Sequence, residues 1–156
     1  MNIFLYGPDD FKNLCVISRS FECFGVKECF VYDPHHLIRN RYGKSYSNRI
    51  RTVSAGAFFK VHWEIIKNPL EFIRSFSGRH ICTTPSRDAL SIYQYSHQQT
   101  DLIIFGSERK GIPDDIQRYC DLNITIPIIG TTQSLNLSIS VSILVAEIYE
   151  KSKKVE

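Results

Sequence analysis

Three polar side chains that are suited to hydrogen bonding and proton chemistry follow apolar, strand-like runs in the second half of the sequence. Glu108 follows LIIFGS, and Ser134 and Asn136 follow ITIPIIGTTQ. The segment GSERKG lacks the GxxxxGK[ST] pattern of a phosphate loop, and no GxGxxG follows a strand, which argues against nucleoside triphosphatases and dinucleotide folds. A lone glutamate after a strand also serves as a turn residue, and serine favours helix N-caps. Each residue therefore keeps a structural interpretation beside a chemical one.

Strands and helices that could position these residues alternate along the whole chain. Short apolar runs bounded by Gly, Pro or acids predict strands in NIFLYG, ECFVYD, HICTTP, DLIIFGS and NITIPI. Helices are predicted in DDFKNLCVISRSFECFG, towards Ala57, in NPLEFIRSF, in PDDIQRYC, and from near Ser134 to about Lys151. The alternation predicts an α/β domain with a mostly parallel sheet and helices on both faces. Ligands of such sheets bind beyond the carboxyl ends of the strands, so one cleft is expected there.

The composition is that of an ordinary globular domain. Hydrophobic residues make up 43% and charged residues 22% of the 156 residues. We expect one domain over 1–156 with no additional RNA-binding domain. The net charge of +3 permits a nucleic-acid partner without requiring one. No signal peptide or membrane span is recognised, so a cytoplasmic protein is expected.

The cysteines give no sign of a metal site or a disulfide framework. They are scattered, odd in number, and form no CxxC pair: Cys15, Cys23, Cys29, Cys82 and Cys120. The sequence therefore predicts buried, reduced thiols of the kind found in cytosolic proteins.

A basic segment, RNRYGKSYSNRIR, runs from residue 39 to residue 51 and contains no acid. Tyr42 and Tyr46 interleave with its cations, which are Arg39, Arg41, Lys44, Arg49 and Arg51. Such a pattern is typical of a patch that contacts the phosphates of RNA. A solvated loop and helix face would have the same composition, so both interpretations stay open.

Three segments stand in one order along the chain: NLCVISRSFECFGV, IIFGSERKGIP and IPIIGTTQSLNLSISVSILVAE. Together they resemble the three motifs of the SpoU-type branch of the SPOUT RNA methyltransferases. One departure is Cys15, where many members of the family have glycine. The matching residues are Asn13, Arg19 and Gly25 in the first segment, Gly106, Glu108 and Gly111 in the second, and Ile126, Pro127, Ser134, Leu135 and Asn136 in the third.

The resemblance implies a particular fold and a cofactor. In this family the C-terminal part of the α/β sheet forms a deep trefoil knot, which ordinary chain topology would not predict. S-adenosylmethionine is held in the knot largely by backbone groups, and no metal is expected. By position, the cofactor contacts fall at Cys82 or Thr83, Gly106, Ile126, Ile128, Ser134 and Leu135. Glycine at 106 would let the backbone approach the ligand closely.

The resemblance also implies a reaction, methylation of a ribose 2′-hydroxyl in RNA, with tRNA favoured over rRNA. Arg19 is the candidate base or hydroxyl activator. Because a guanidinium group has a pKa above about 12, it is better suited to clamp a phosphate and polarise the hydroxyl than to take a proton. The other candidate catalytic residues, which would position Arg19 and the ribose, are Asn13, Glu108, Ser134 and Asn136. Ser134 and Asn136 are expected both to cap the last helix and to line the site.

A homodimer is expected, because family members pair through their first and last helices and complete each site from two chains. The last helix carries apolar residues on more than one side, such as Val141 and Ile139. Two alternatives remain open, a knotted methyltransferase that modifies a base and a catalytically silent RNA-binding module. Base-modifying relatives lack the Asn…Arg, Glu and Ser-Leu-Asn set, which stands here at Asn13, Arg19, Glu108 and residues 134–136. A buried arginine without a role would be costly in a silent module.

Overall fold

Seven strands form a single parallel sheet in the computed structural model, which describes residues 1–38 and 44–153; the side chains of 44–47 are outside the description. The strands are β1 (Asn2–Tyr6), β2 (Glu28–Tyr32), β3 (His62–Ile65), β4 (His80–Thr83), β5 (Leu90–Ser91), β6 (Leu102–Phe105) and β7 (Leu122–Thr125). The helices are α1 (Phe11–Cys23), α2 (Lys44–Ser54), α3 (Pro69–Ser75), α4 (Asp114–Gln117) and α5 (Leu137–Lys153), with a 3₁₀ turn at Ala57–Lys60.

The strand order is β3-β2-β1-β6-β4-β7-β5, and every pairing among the described strands is parallel. The prediction of a parallel α/β sheet is confirmed. β3 and β5 were not predicted, because a strand of two to four residues at the edge of a sheet carries little periodicity. The strand predicted over NITIPI ends at Thr125, before the proline.

Helices cover both faces of the sheet, as predicted. Side chains of a strand alternate between faces. In β1, Ile3 and Leu5 pack in the larger cluster with α1 and α5, whereas Phe4 packs in the smaller cluster with α3 and α4. β6 repeats this alternation. The fully buried residues of α1 and α5 include Leu14, Ile17, Phe21, Val141 and Val145. No helix of the described residues is long and apolar enough to cross a membrane.

A buried carboxylate fixes the segment that leads into β6. Asp101 accepts hydrogen bonds from Arg79 Nε and Nη2 at 2.9 and 2.8 Å, from Tyr95 Oη at 2.6 Å and from the Gln98 amide at 2.8 Å. Burial alone would raise the pKa of Asp101. The hydrogen bonds from Arg79, Tyr95 and Gln98 favour the charged form more strongly, so the pKa of this carboxyl lies below its ordinary value.

Replacing Arg79 with alanine is expected to destabilise the fold by about 3 kcal/mol, because Asp101 would stay buried without its cation. The lowered folded pKa of Asp101 also predicts that its contribution is fully present above about pH 4 and is lost as the pH falls through the folded value. The variant should therefore lose less stability in acid than the wild type. Urea unfolding from pH 3 to 7 measures both effects. Arg74→Ala is the control, because this exposed arginine makes its hydrogen bond and its cation–π contact with the same residue, Tyr119, and it should cost less than about 1 kcal/mol. Equal losses in the two variants would contradict the prediction.

One cysteine pair differs from the sequence-based prediction. Cys82 in β4 and Cys120 after α4 form a disulfide with their Cα atoms 5.8 Å apart, so the prediction of reduced thiols is wrong for these two. A sequence separation of 38 hides the pairing in the sequence. Cys23 and Cys29 carry free thiols, and because Cys23 is exposed, the prediction of burial is wrong for Cys23. Burial raises the pKa of the Cys29 thiol well above its ordinary value.

Candidate active site

A cleft of about 420 Å³ opens beyond the carboxyl ends of β4, β6 and β7. Its wall consists of residues from the segments 83–85, 105–112 and 124–128, together with residues from the start of α5. The predicted convergence of strand ends on one cleft is confirmed for these three strands. The end of β1 contributes through a hydrogen bond described below and does not line the cleft.

Most of the positions expected to contact a cofactor line this cleft. Those that do are Thr83, Gly106, Ile126, Ile128, Ser134 and Leu135. The exception is Cys82, whose side chain is fully buried in the cluster packed against α3 and α4. Because successive residues of a strand face opposite sides, Thr83 points the other way, and its Oγ1 donates to the Ile104 carbonyl at 3.0 Å.

The loop after β6 folds back tightly on itself. The Ser107 amide donates to the Gly111 carbonyl at 3.1 Å, and the Gly111 amide donates to the Ser107 carbonyl at 3.0 Å. A Cβ atom on Gly106 would lie 2.1 Å from the Gly111 carbonyl carbon and 2.3 Å from the Ile112 nitrogen. Glycine at 106 is therefore required by the loop itself, whereas the sequence had suggested the approach of a ligand. Gly111 adopts φ +66°, which also favours glycine.

Glu108 joins the loop after β6 to the start of α1. Its Oε1 accepts a hydrogen bond from Asn13 Nδ2 at 2.5 Å, and its Oε2 accepts one from the Asp9 amide at 2.8 Å. Asn13 is buried and does not line the cleft, so it acts on the cleft through Glu108. The two hydrogen bonds fix the orientation of a carboxylate on the cleft wall.

Arg19 does not reach the cleft of its own chain. It is exposed on α1, does not line the cleft, and makes no hydrogen bond or ion pair within the described part of the chain. Val16, one turn earlier on α1, and Ile139 on the adjacent α5 are also exposed, at 41% and 48%. The expectation that Arg19 faces the cleft is therefore wrong for a single chain.

Asn136, and not Ser134, caps the last helix. Asn136 Oδ1 accepts hydrogen bonds from the Ser138 amide at 2.8 Å and from Ser138 Oγ at 2.7 Å, and α5 begins at Leu137. Ser134 lies before the helix and lines the cleft, whereas Asn136 does not. The expectation that both residues cap the helix and line the site is thus divided between them.

The basic segment is described only in part. Arg39 and Arg41 lie outside the described residues, as does the side chain of Lys44, the first residue of α2. Arg49 and Arg51 are exposed on α2, and neither forms an ion pair with any described residue. The Arg51 guanidinium lies 5.0 Å from the ring centre of Phe59, a residue that is itself 36% exposed. Cation–π contact of this kind leaves the charge available to a phosphate.

Sequence reasoning missed several polar residues near the cleft. Arg109 and Lys110 line it within the second motif, where their position in GSERKG was the available signal. Gln117 also lines the cleft, but nothing in the sequence around this α4 residue indicated a place in the site. Elsewhere on the sheet, Glu28, His62 and Glu64 bring their ligand atoms within 4.8 Å of one another, but all three are exposed and none lines the cleft.

Comparison with known proteins identifies relatives over nearly the whole chain. The model of the SpoU rRNA Methylase family matches residues 1–146. The chain is 24% identical over 147 residues to a tRNA (cytidine(34)-2′-O)-methyltransferase of Ancylobacter novellus, covering 92% of this chain and 87% of that protein. It is 26% identical over 138 residues to a tRNA (guanosine(18)-2′-O)-methyltransferase of Aquifex aeolicus, covering 86% of this chain and 62% of that protein.

Solved structures share the fold. The A. aeolicus TrmH/SpoU tRNA modifying enzyme superposes with a TM-score of 0.81 at 20% identity, covering 97% of this chain and 75% of that one. A structure whose description concerns 2-OH methylation of C/U34 on tRNA superposes with a TM-score of 0.79 at 20% identity, covering 98% of this chain and 96% of that one. The methyltransferase AviRb from Streptomyces viridochromogenes, in complex with AdoMet, gives 0.77 at 17% identity, covering 99% and 61%.

The family model covers all three motifs in their order, and the structure joins the first two of them through the hydrogen bond between Asn13 and Glu108. The cleft, in turn, is lined by the second and third motifs. The identification from sequence as an RNA 2′-O-methyltransferase of the SpoU type is confirmed, and the chain belongs to the SpoU rRNA methylase family.

Proposed function

We propose that this chain methylates the 2′-hydroxyl of a ribose in tRNA, with S-adenosylmethionine as the methyl donor. The observation that carries the proposal is the cleft beyond β4, β6 and β7, where Glu108 is held by Asn13 beside Ser134 and Leu135 of the third motif. The relative that this chain covers most fully among those compared is named for nucleotide 34 of tRNA. Nucleotide 34 is therefore the position to examine first, and nucleotide 18 is the second.

The cleft fits a nucleoside-sized donor. Its volume of about 420 Å³ lies in the range of small-molecule sites, roughly 300–1,000 Å³. Ile126 and Ile128 offer side chains to pack on an adenine ring, and the peptide groups beside them can hydrogen-bond its edge. When bound, the donor would supply an electrophilic methyl group on sulfur. Thr83 and Ser134 provide hydroxyls on the cleft wall.

The site is completed by a second copy of the chain in this proposal. Arg19 lies on the exposed side of α1, one turn from the exposed Val16, and α5 exposes the apolar side chain of Ile139. α1 and α5 are held together by a 2.6 Å hydrogen bond between Ser20 Oγ and Ser142 Oγ, so they present one composite surface. A homodimer across this surface would cover the apolar residues and bring Arg19 of one chain to the cleft of the other.

Arg19 then acts on the substrate without taking its proton. A guanidinium group donates several hydrogen bonds in a planar fork, so it can hold an RNA phosphate and polarise the ribose hydroxyl together. Because a guanidinium group stays protonated in proteins, the hydroxyl proton passes to another acceptor, such as water. Glu108 stays in place through its bonds to the Asp9 amide and to Asn13, which keeps the cleft wall preorganised.

The knot expected from the resemblance is also part of the proposal. β7 lies between β4 and β5, which are joined by the connection 84–89. The Thr84 amide donates to the Ile124 carbonyl and the Ile92 amide to the Thr125 carbonyl, both at 2.9 Å, so that connection passes around the end of β7. The chain after β7 would thread through it. A crystal structure that traced residues 126–136 outside the connection would contradict the knot.

A methyl-transfer assay tests the proposed reaction. Purified protein should bind S-adenosylmethionine in calorimetry and transfer labelled methyl to bulk tRNA. A 2′-O-methyl group blocks alkaline hydrolysis of the adjacent phosphodiester, so sequencing of hydrolysed tRNA locates the product. Labelled tRNA that is still hydrolysed at every position would indicate a base methyltransferase. RNA binding without transfer would indicate a silent binding module.

Alanine substitutions at two motif residues should separate chemistry from folding. Glu108→Ala is expected to keep the fold and lose most of the transfer, because Asn13 and the Asp9 amide lose their shared acceptor at the cleft wall. Asn136→Ala should lose about 1 kcal/mol of stability with the cap of α5, and it should lose transfer because Ser134 and Leu135, which line the cleft, directly precede that cap. Circular dichroism and the transfer assay measure the two effects. Full activity in either variant removes that residue from the site.

Charge reversal on α2 tests the RNA surface. Arg49→Glu combined with Arg51→Glu should weaken tRNA binding and lower the slope of log K against log salt by about one per lost phosphate contact, while affinity for S-adenosylmethionine stays unchanged. Lys27→Glu with Arg118→Glu is the matched control, since both residues are exposed cations outside α2. Equal salt slopes in the two double variants would show that α2 does not contact the phosphates of RNA.

A further inference from the structure

We propose that Asp9 is a positioning residue that locks the Glu108 loop onto the start of α1 through a reciprocal pair of hydrogen bonds; the inference rests on the proposed function. The Asp9 amide donates to Glu108 Oε2 at 2.8 Å. In the opposite direction, the Arg109 amide donates to Asp9 Oδ2 at 3.3 Å. Each carboxylate thus accepts from the backbone of the other's loop.

This reciprocity resembles the logic of a capping box, in which two side chains satisfy each other's backbone donors. A single hydrogen bond would leave the loop free to rotate about it, whereas two antiparallel ones fix both position and orientation. Arg109 follows Glu108 directly, so the bond to its amide restrains the Glu108 backbone. Asp9 therefore holds Glu108 at its side chain and at its peptide group.

A third loop supports Asp9 from the other side. His35 Nε2 lies 3.3 Å from Asp9 Oδ1, so the two oxygens of Asp9 face two different loops. The side chain of Asp9 is 22% exposed, against 54% for His35, so Asp9 is the inner member of the pair. A Cβ atom on Gly7 would contact Pro34 and Ser107 at 3.8 and 4.0 Å, which shows how closely these three loops meet.

Asp9 does not itself line the cleft, so it acts through Glu108 and Arg109, which do. Supporting residues of this kind typically change activity by about 10- to 100-fold when removed. The neighbouring Asp10 offers a matched comparison, because its carboxylate caps α1 by accepting from the Lys12 amide at 2.9 Å and makes no hydrogen bond to the Glu108 loop.

The experiment compares Asp9→Ala, Asp9→Asn and Asp10→Ala by hydrogen exchange and by kinetics. Asp9→Ala should raise amide exchange in the peptide 107–111 and lower kcat by about 10-fold. Asp9→Asn retains an oxygen that can accept from the Arg109 amide, so it should restore kcat to within about twofold of the wild type. Asp10→Ala should leave both exchange at 107–111 and kcat unchanged, despite the lost cap.

A double-mutant cycle with Glu108→Ala completes the test. If Asp9 acts through Glu108, Asp9→Ala should add less than about a twofold loss in the Glu108→Ala background, since coupled residues are not additive. Fully additive losses, unchanged exchange at 107–111, or an Asp9→Asn variant as impaired as Asp9→Ala would each overturn the proposal. Hydrogen exchange does not depend on catalysis. A wild-type protein without transfer activity would therefore refute the proposed function, and exchange at 107–111 would still show whether Asp9 restrains this loop.

Discussion

Arg19→Lys is expected to lower kcat on saturating tRNA and S-adenosylmethionine by about 10²- to 10³-fold, nearly as far as Arg19→Ala. Lysine keeps the charge but loses the planar fork that can bond a phosphate and a hydroxyl together. Affinity for S-adenosylmethionine should stay within about twofold of the wild type, because Arg19 does not line the cleft of its own chain. Stability should also be unchanged, since Arg19 is exposed and has no polar partner in the described part of the chain.

A mixed-dimer experiment shows from which chain Arg19 acts. Arg19→Ala and Glu108→Ala homodimers should both be inactive. In a mixed dimer, the Arg19→Ala chain has an intact Glu108, and its partner supplies an intact Arg19. If Arg19 acts across the dimer, one site is restored and the mixture regains activity. A mixed dimer as inactive as the two homodimers would show that Arg19 acts in the site of its own chain. In the separate kinetic experiment, a wild-type rate for Arg19→Lys would show that a positive charge without the guanidinium fork suffices.

The sequence predicted the central part of the fold because its strands are buried on both faces. β1 and β6 are apolar runs without alternation, which is the pattern of central parallel strands. β3 was missed because its His62 and Glu64 are exposed at an edge while Trp63 is buried, and four residues give too short a period to distinguish from a loop. The hydrophobic pattern of the sequence thus identifies central strands, which are buried on both faces, and fails to identify short strands at the edges of the sheet.

The candidate site was predicted only where a motif linked distant segments. Asn13 and Glu108 are 95 residues apart, and no local pattern joins them. The family resemblance assigned both to one site, and in the structure a hydrogen bond connects them. The bond between Asp9 and the Arg109 amide spans a similar distance without a motif, so sequence could not reveal it. The cap of α5 was expected at both Ser134 and Asn136 because both have the side chain that a cap requires, but only Asn136 forms it.

The loop after β6 accounts for much of what the site can do. It carries Glu108 and Arg109 on the cleft wall, and it is closed by the paired hydrogen bonds between Ser107 and Gly111. Its shape depends on close backbone packing at Gly106, which leaves no room for a side chain. A change at Gly106 should therefore be transmitted to the whole cleft wall, although Gly106 itself has no group that reacts.

Gly106→Ala is accordingly expected to reduce affinity for S-adenosylmethionine by about 100-fold, the order of loss that a misplacement of about 1 Å produces in a binding or catalytic site. The added Cβ would lie 2.1 Å from the Gly111 carbonyl carbon, so backbone must move, and about 1–3 kcal/mol of stability should be lost to overpacking. Calorimetric titration and urea unfolding measure the two losses. Gly130→Ala is the matched control, because a Cβ there meets nothing within 4 Å and should change neither quantity. Tight cofactor binding in Gly106→Ala would show that the loop after β6 adapts to the added Cβ atom. The shape of the cleft would then be determined by the segment after β7.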